Sequence, residues 1–104
     1  MSQRIYADVC VDCNEQGYMT NLDQWNRDVA TAIAAEEEID LNDEKHWEVI
    51  NYLQDQYKND VALTIRRVGK SEVVSIKEFY RLFPGGPLKK ASRIAGIPKP
   101  ASCI

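Results

Sequence analysis

The sequence predicts a mainly α-helical protein, built as a compact bundle of about five helices with a small N-terminal β-hairpin and a flexible C-terminal arm. Three observations support this fold class. The 104 residues suffice for one domain with one modest core and leave no room for a second. Apolar residues recur at helical spacings of three and four over most of residues 22–95. Strand-like alternation is confined to the first 19 residues.

The N-terminal hairpin is predicted between Ile5 and Met19. Its first strand carries apolar residues at alternate positions, namely Ile5, Ala7, Val9 and Val11. Residues 14–17, Asn-Glu-Gln-Gly, have the composition of a turn, and Tyr18 would begin the return strand. Because two short strands are only marginally stable alone, the hairpin is expected to pack against the helices.

Two longer helices are predicted after the hairpin. The first spans about residues 22–38, with Asn21 or Asp23 as its cap. Its buried face is expected to comprise Trp25, Val29, Ala32 and Ile33. The second spans residues 43–58, and an Asn-Asp pair at 42–43 supplies the cap. Its buried stripe is expected to comprise Trp47, Ile50, Leu53 and Tyr57.

Three shorter helical segments complete the predicted bundle. The first is the apolar stretch 61–68, and the second is capped by Ser75 and runs to residue 83. The buried side of the second comprises Ile76, Phe79, Tyr80 and Phe83. Prolines and glycines at 84–87 mark a turn, and the last helix spans 88–95, with Gly96 in the position that ends it. Its inward residues are expected to be Leu88, Ala91, Ile94 and Ala95.

The charges are divided unevenly along the chain. Residues 1–61 carry 4 basic and 14 acidic side chains, whereas residues 62–104 carry 9 basic and 2 acidic ones, for a net charge of -3. The basic half could attract an acidic partner or nucleic acid. Alternatively, the two halves face each other in the fold and neutralise one another. The sequence leaves both interpretations open.

Several classes of protein are excluded or disfavoured by composition. No apolar run approaches the roughly 20 residues that span a bilayer, and no secretory signal opens the chain, so we expect a cytoplasmic protein without a membrane association. There is no glycine-rich phosphate loop, and a single histidine offers no Ser-His-Asp arrangement. The three cysteines are an odd number, which favours free, catalytic or metal-binding thiols over structural disulfides.

Three further features of the sequence are weighed between a functional and a structural interpretation. Cys10 and Cys13 form a C-x2-C pair, which could be half of a metal site or a redox pair, but two further metal ligands are not apparent. We favour incidental thiols in the hairpin. His46 is expected to cap or pack a helix and not to catalyse, and the acidic run 36–38 is interpreted as a solvated helix end. That run lies at the end of the helix where the dipole disfavours anions.

The strongest candidate functional residue is Cys103, next to last in the chain. It follows Gly96, Pro98 and Pro100 in a tail that cannot continue the last helix. We expect residues 1–104 to form a single domain in which 95–104 are a mobile arm that presents this thiol to another protein. The nearest cations in the sequence, which would favour a thiolate, are Lys99, Arg93 and Lys90.

Two blocks of sequence resemble the DsrC/TusE family. Residues 79–87 read F-Y-R-L-F-P-G-G-P, and residues 90–104 read K-A-S-R-I-A-G-I-P-K-P-A-S-C-I. They are similar to the family's Y-x-L-F-P-x-G-P turn and its A-G-L-P-K-P-x-x-C ending, with Ile97 in place of leucine. Upstream landmarks are E-Q-G-Y at 15–18, Trp25 and E-K-H-W-E-V-I at 44–50. The resemblance covers nearly the whole chain.

The resemblance implies a sulfurtransferase that relays sulfur without a cofactor or a metal. Cys103 would accept sulfane sulfur as a persulfide from an upstream donor complex of the TusBCD or DsrEFH type. It would then pass the sulfur to an acceptor, which is either a tRNA-thiolating enzyme, as in 2-thiouridine synthesis, or a sulfite reductase, as in sulfur oxidation. Direct binding of nucleic acid is not expected, since the isoelectric point is about 5.1.

Two departures from the family pattern affect this prediction. Members similar to the gamma subunit of dissimilatory sulfite reductase carry a second tail cysteine, and the matching residue here is Ser92, so an internal disulfide is closed to this chain. The segment 61–75 also looks shorter than in the family.

The alternative to a sulfur relay is a regulatory or sulfite-reductase-associated binding protein. Such a protein could bind DNA through a helix-turn-helix-like unit formed by helices near 43–58, 61–68 and 75–83.

Overall fold

The computed structural model describes residues 2–100 of the chain. It begins with an antiparallel hairpin of β1 (Ser2–Tyr6) and β2 (Val9–Cys13), followed by a short 3-10 helix (Leu22–Gln24). Five helices follow in chain order, namely α1 (Arg27–Glu36), α2 (Glu44–Lys58), α3 (Ile65–Lys70), α4 (Ile76–Leu82) and α5 (Pro87–Ile94). This architecture confirms the predicted fold class. Over residues 2–100, no helix combines the length and the apolar character needed to cross a bilayer.

A turn that was not predicted from the sequence joins β1 to β2. Its two turn residues are Ala7 and Asp8, which both have positive φ angles of 51° and 65°, as in the tight turns that match strand twist. The turn at Ala7 and Asp8 was not predicted because alanine seldom adopts positive φ and gave no turn signal. The faces of the first strand are also exchanged, so that Tyr6 is buried while Ile5 is 73% exposed.

The predicted turn at 14–17 is also present, after β2: the Gly17 N–H donates to the Asn14 carbonyl at 3.0 Å, and the Asn14 N–H donates to the Tyr18 carbonyl at 2.9 Å. The side-chain oxygen of Asn14 accepts a hydrogen bond of 3.0 Å from the backbone N–H of Tyr18. Met19 then makes a single isolated bridge with Cys13. The predicted return strand is therefore reduced to one paired residue, and β2 takes its place beside β1.

Side-chain caps determine where the helices begin. α1 starts at Arg27 instead of residue 22, because the Asn26 side chain accepts a 2.8 Å hydrogen bond from the backbone N–H of Val29. The predicted caps of α2 and α4 are confirmed. Asp43 accepts from the second residue of α2, and Ser75 accepts from the third residue of α4.

Helix α5 occupies the centre of the fold and packs against α1, α2 and α4. Its predicted inward residues are all buried, namely Leu88, Ala91, Ile94 and Ala95. Three aromatic or aliphatic residues that were predicted as buried are exposed instead: Tyr57 at 43%, Ile76 at 45% and Tyr80 at 48%. The spacing of apolar residues located the buried stripes of α2 and α4 but not their width.

Ion pairs connect the acidic first half of the chain to the basic second half. Arg93 on α5 pairs with Glu36 and Glu37 at the end of α1, and the Lys90 ammonium lies 3.9 Å from a Glu37 carboxylate oxygen. These contacts confirm that the two halves partly neutralise one another. The neutralisation is local, since it is concentrated where α5 meets α1.

Candidate functional site

The predicted site residue, Cys103, lies outside the described residues, and its role stays a prediction. The structure does describe the segment that leads to it. We call residues Ile94–Ile97 the arm base. The indole N–H of Trp25 donates a 2.8 Å hydrogen bond to the carbonyl of Ile94, and the Gln54 side-chain amide donates one of 2.8 Å to the carbonyl of Ala95. Two distant elements therefore hold the chain at the point where the predicted arm starts.

The arm base also carries the end of helix α5. Gly96 has a positive φ of 75°, and its N–H donates to the Arg93 carbonyl, while the Ile97 N–H donates to the Ser92 carbonyl. These two bonds are the pattern of a Schellman motif, which satisfies the last carbonyls of a helix and turns the chain. Ile97 is 1% exposed, so the side chain beyond the turn is part of the core. The predicted mobility of residues 95–104 stays a prediction, but its first residues are packed.

Substituting Gly96 with alanine is expected to destabilise the protein. A Cβ at this position would lie 2.6 Å from Cδ1 of Trp25, on a backbone with positive φ. The left-handed conformation costs about 1–2 kcal/mol, and displacing Trp25 would weaken its hydrogen bond by about 1 kcal/mol. We therefore expect Gly96→Ala to lower the free energy of unfolding by about 2–3 kcal/mol in urea titrations.

The matched control for that prediction is Gly86→Ala. Gly86 also has a positive φ, of 100°, but a Cβ there would meet nothing within 4 Å. It therefore measures the backbone strain without the collision, and its loss of stability should be the smaller of the two. Equal losses for both variants would show that Trp25 does not constrain the arm base.

Ser92, the residue that matches the second tail cysteine of related sequences, lies inside the core. Its exposed fraction is 0%, and within residues 2–100 its hydroxyl oxygen has no hydrogen-bond partner. A buried hydroxyl without a partner is energetically unfavourable. It can neither form a disulfide nor accept sulfane sulfur, so it does not replace the missing thiol.

A polar cluster lies directly before the arm base, and we call it the Arg93 cluster. The Arg93 guanidinium donates to the carbonyl of Gly17 at 3.1 Å, to a carboxylate oxygen of Glu37 at 2.8 Å and to the hydroxyl of Tyr6 at 2.9 Å. It also donates to Glu36, and the Tyr6 hydroxyl donates to the same carboxylate at 3.0 Å. The Arg93 side chain is only 9% exposed. One buried guanidinium therefore ties α5 to β1, to the loop after β2 and to the end of α1.

This cluster corrects the interpretation of the acidic run 36–38 as a solvated helix end. Glu36 and Glu37 do lie at the end of α1, where the helix dipole disfavours anions. The Arg93 guanidinium offsets that cost and supplies directed hydrogen bonds. Glu36 and Glu38 are exposed, as predicted, but Glu36 is also paired with Arg93, and Glu37 is partly buried. The unfavourable charge placement was the signal in the sequence for a missing cation, but it did not identify which one.

The cluster shifts the pKa of two of its members. Burial alone would raise the pKa of Glu36, but hydrogen bonds from Arg93 and Tyr6 outweigh burial and hold this pKa below its ordinary value of 4.5. Burial would lower the pKa of Arg93, and the hydrogen bond with Glu36 outweighs it, so the guanidinium stays charged. The cluster is therefore a fixed ion pair at neutral pH and not a proton donor or acceptor.

Glu36→Gln is expected to make stability less dependent on pH. Because the pKa of Glu36 is lowered on folding, its contribution is present above the ordinary value of 4.5 and is lost as the pH falls through the folded pKa. The variant should be less stable than the wild type at about pH 7 and closer to it at about pH 3, as judged by urea midpoints. Glu38→Gln, which removes the neighbouring exposed carboxylate, is the control. A stability difference that is the same at both pH values would contradict the prediction.

An open groove of about 450 Å³ lies over the Arg93 cluster. The guanidinium of Arg93 and both carboxylates line it, and further cations are contributed by Arg4, Lys89 and Lys90. Lys90 is paired with Glu37, whereas Lys89 is exposed. Of the three cations that the sequence placed near Cys103, Arg93 and Lys90 are therefore engaged with carboxylates. Lys99 is exposed and makes no ion pair among residues 2–100.

The other two thiols point in different directions. Cys10 is exposed, and Cys13 is buried with an exposed fraction of 0%. They are three residues apart on β2, and residues at odd spacing lie on opposite faces of a strand. Burial raises the pKa of Cys13, which makes its thiol a poor nucleophile. No group of three metal-ligating side chains is found in the part of the chain that the structure describes.

His46 joins two helices in the core. Its Nε2 atom donates to the carbonyl of Leu82 at 2.9 Å, and its ring meets the edge of Phe83 at a centroid distance of 5.2 Å. His46 is 5% exposed. These contacts agree with the predicted packing role, and they link the start of α2 to the end of α4.

A family model described as DsrC like protein matches residues 6–104 of the chain. Curated relatives carry the name sulfurtransferase TusE. The protein of that name from Photorhabdus laumondii subsp. laumondii is 39% identical over 102 residues, which cover 90% of this chain and 91% of the relative. The TusE homolog from Haemophilus influenzae is 38% identical, with 90% and 93% coverage.

Solved structures with the same fold carry the names DsrI or DsrC. The crystal structure of dissimilatory sulfite reductase I (DsrI) has a TM-score of 0.85 and 33% identity, and the match covers 99% of this chain and 100% of that one. The solution structure of Allochromatium vinosum DsrC has a TM-score of 0.80 and 35% identity, with 98% and 97% coverage. The oxidized gamma-subunit of the dissimilatory sulfite reductase from Archaeoglobus fulgidus has a TM-score of 0.79 and 32% identity, with 99% and 100% coverage.

Proposed function

Because the chain belongs to the DsrC-like family, we propose that it is a sulfur-relay protein in which Cys103 carries sulfane sulfur as a persulfide. The sulfurtransferase names of its TusE relatives support a sulfur-relay role. The observation that carries the proposal is the arm base, where Trp25, Gln54 and the Gly96 turn fix the chain a few residues before a single terminal thiol. A fixed base with a thiol at the end of a short tail suits delivery into a partner's pocket.

The loading step balances without an added oxidant. The Cys103 thiolate attacks the outer sulfur of a donor's persulfide, so a new S–S bond forms at Cys103 and the donor's S–S bond breaks. The donor cysteine leaves as a thiolate, and the proton of the persulfide stays on the transferred sulfur. Delivery repeats the exchange in the opposite direction, with an acceptor thiolate as the attacking group. The chain thus returns to its starting state after each transfer.

The residues around the tail restrict the release step. A second tail thiol could displace the carried sulfur by forming an internal disulfide with Cys103. Ser92, which stands at the matching position, cannot form a disulfide. Cys13 is buried with a raised pKa and is poorly suited to attack. The proposal therefore requires the attacking thiolate to come from the acceptor protein. The donor is proposed to be a TusBCD- or DsrEFH-type complex, and the acceptor a tRNA-thiolating enzyme.

Peptide mapping of the loaded wild-type protein tests the proposal. After incubation with a low-molecular-weight persulfide, trypsin should separate the peptide 94–104, with Cys103, from the peptide 5–27, with Cys10 and Cys13. We expect a mass increase of about 32 Da on peptide 94–104, which is reversed by a thiol reductant. An increase found on peptide 5–27 instead, or on neither peptide, would contradict the proposal.

A sulfite-reductase-associated role is the second candidate function. It is supported by the likeness to the gamma-subunit structure from Archaeoglobus fulgidus and to DsrI. The two candidates differ in what Cys103 does, because a purely structural subunit needs no loaded thiol. Binding to a sulfite reductase that persists without any loaded sulfur on Cys103 would favour the second candidate.

A further inference from the structure

A second groove, of about 340 Å³, is formed around helix α3. We call it the α3 groove. Its lining residues are Tyr52, Thr64, Arg66, Arg67, Lys70 and Ser71. The volume lies at the lower end of the range of ligand sites. Tyr52 belongs to α2, so the groove is a joint feature of two helices and the turns that flank α3.

The charge of the α3 groove is not neutralised. Arg66, Arg67 and Lys70 are exposed, and no acidic residue lines the groove. Among residues 2–100, none of the three takes part in an ion pair, in contrast to Arg93 and Lys90 on α5. Two guanidinium groups and one ammonium group therefore face a concave surface without counter-charges, which favours an anionic ligand.

The remaining lining residues add hydrogen-bond donors and an aromatic ring. The hydroxyl oxygen of Thr64 accepts from the backbone N–H of Arg67 at 3.0 Å, which fixes the hydroxyl and leaves its hydrogen free to donate to a ligand. Tyr52 is half-buried, with its ring at the groove. Cations and hydroxyls suit phosphate oxygens, and an aromatic ring offers a stacking surface for a base. An acidic protein segment would use the cations but not the ring.

We propose that the α3 groove binds the phosphodiester backbone of a single-stranded nucleic acid, with Arg66, Arg67 and Lys70 contacting phosphates and Tyr52 supporting a base. Guanidinium groups match phosphate geometry through paired hydrogen bonds. This proposal departs from the expectation, drawn from the overall isoelectric point, that the chain does not bind nucleic acid. It differs from the predicted helix-turn-helix reading of duplex DNA, because an aromatic ring such as that of Tyr52 stacks on unpaired bases.

The α3 groove and the arm base occupy different sides of α2. Gln54, which holds the arm base, follows Tyr52 by two residues. Two residues correspond to a rotation of about 200° around a helix, so these side chains leave α2 in nearly opposite directions. Binding at the groove should therefore not require the tail thiol, and the two proposals can fail separately.

Fluorescence anisotropy with a labelled single-stranded oligouridine tests the proposal. The triple variant Arg66→Gln, Arg67→Gln, Lys70→Gln should bind at least about tenfold more weakly at low salt, and the slope of log affinity against log salt should fall by about 2. The matched control Lys58→Gln, Lys77→Gln, Lys89→Gln removes three exposed cations outside the groove. It should change the affinity less than about threefold.

Substitutions of Tyr52 separate stacking from charge. Tyr52→Phe should keep the affinity, whereas Tyr52→Leu should lower it severalfold without changing the salt slope. Thermal melts of every variant establish that the fold is retained. Three results would overturn the proposal: no binding by the wild type, equal loss in the control triple variant, or equally tight binding of polyglutamate of matched length, which would assign the groove to acidic proteins.

Two further measurements keep this proposal separate from the sulfur relay. Cys103→Ser should bind the oligouridine as the wild type does. The triple variant should still accept sulfur from a small persulfide. A wild-type protein that binds the oligouridine but accepts no sulfur would count against the relay alone. A wild-type protein that accepts sulfur but does not bind the oligouridine would count against the groove alone.

Discussion

Replacing Cys103 with serine is expected to reduce the protein's sulfur transfer to background, which means a loss of at least about a hundredfold in the amount of transferable sulfur. Serine has nearly the same shape, but its hydroxyl does not ionise near neutral pH and cannot hold a sulfane sulfur, whereas thiolate chemistry requires the sulfur nucleophile. The measurement is transfer of labelled sulfur from a persulfide donor through the protein to a thiol acceptor.

The two other cysteines supply the controls for that experiment. Cys10 is exposed, so Cys10→Ser tests whether this second accessible thiol is required for transfer. Cys13 is buried, so Cys13→Ala is accompanied by a melting curve to establish that the fold is intact. Both variants should transfer sulfur as the wild type does. Substantial transfer by Cys103→Ser would show that the tail thiol is not the carrier.

Arg93→Met is expected to give the largest loss of stability of the substitutions considered. The methionine fills much of the same volume but leaves Glu36 and Glu37 side by side at the end of α1 without their cation. Removing one partner of a buried ion pair costs about 3–5 kcal/mol. Because Glu36 is partly exposed, we expect Arg93→Met to lower the free energy of unfolding by about 3 kcal/mol. The melting temperature should fall by more than about 10 °C.

Arg81→Met is the matched control for Arg93. Arg81 also forms two ion pairs, with Asp43 and Glu78, but its side chain is 60% exposed. Solvent screening limits such pairs, so the expected loss is about 1 kcal/mol or less. Arg93→Lys keeps the charge but not the planar fork and should fall between the two. Similar losses of stability for Arg81→Met and Arg93→Met would show that burial does not increase the contribution of the Arg93 ion pairs to stability.

Local signals in the sequence were sufficient for much of the fold. Asp43 and Ser75 cap the helices that they were predicted to cap, and Gly96 adopts the positive φ that its position after α5 required. Each of these features depends on a few neighbouring residues, so a short stretch of sequence was sufficient to predict it. The turn at Ala7 and Asp8 was missed because its conformation is imposed by the pairing of the flanking strands and not by a favourable turn residue.

The candidate site was less accessible to prediction because its contacts are distant in sequence. Arg93 joins residues from β1, the loop after β2 and α1, and nothing in the local pattern links it to Tyr6 or Gly17. Trp25 was assigned to a helix face, whereas its indole N–H holds the carbonyl of Ile94. The composition of the sequence showed that its second half is basic. Only the fold shows that Arg93 is paired with carboxylates while the cations of the α3 groove are not.

The position of the arm base limits where chemistry at the tail can occur. The chain is buried through Ile97 and again at Pro100, and the six residues from Ile97 to Cys103 span at most about 20–22 Å when fully extended. A partner's reacting sulfur must therefore come within that radius of Ile97. If Cys103 is the carrier, the donor and the acceptor would need to bind overlapping surfaces of the protein. The two partners would then bind alternately and not in one ternary complex, and each would have to dissociate before the other could bind.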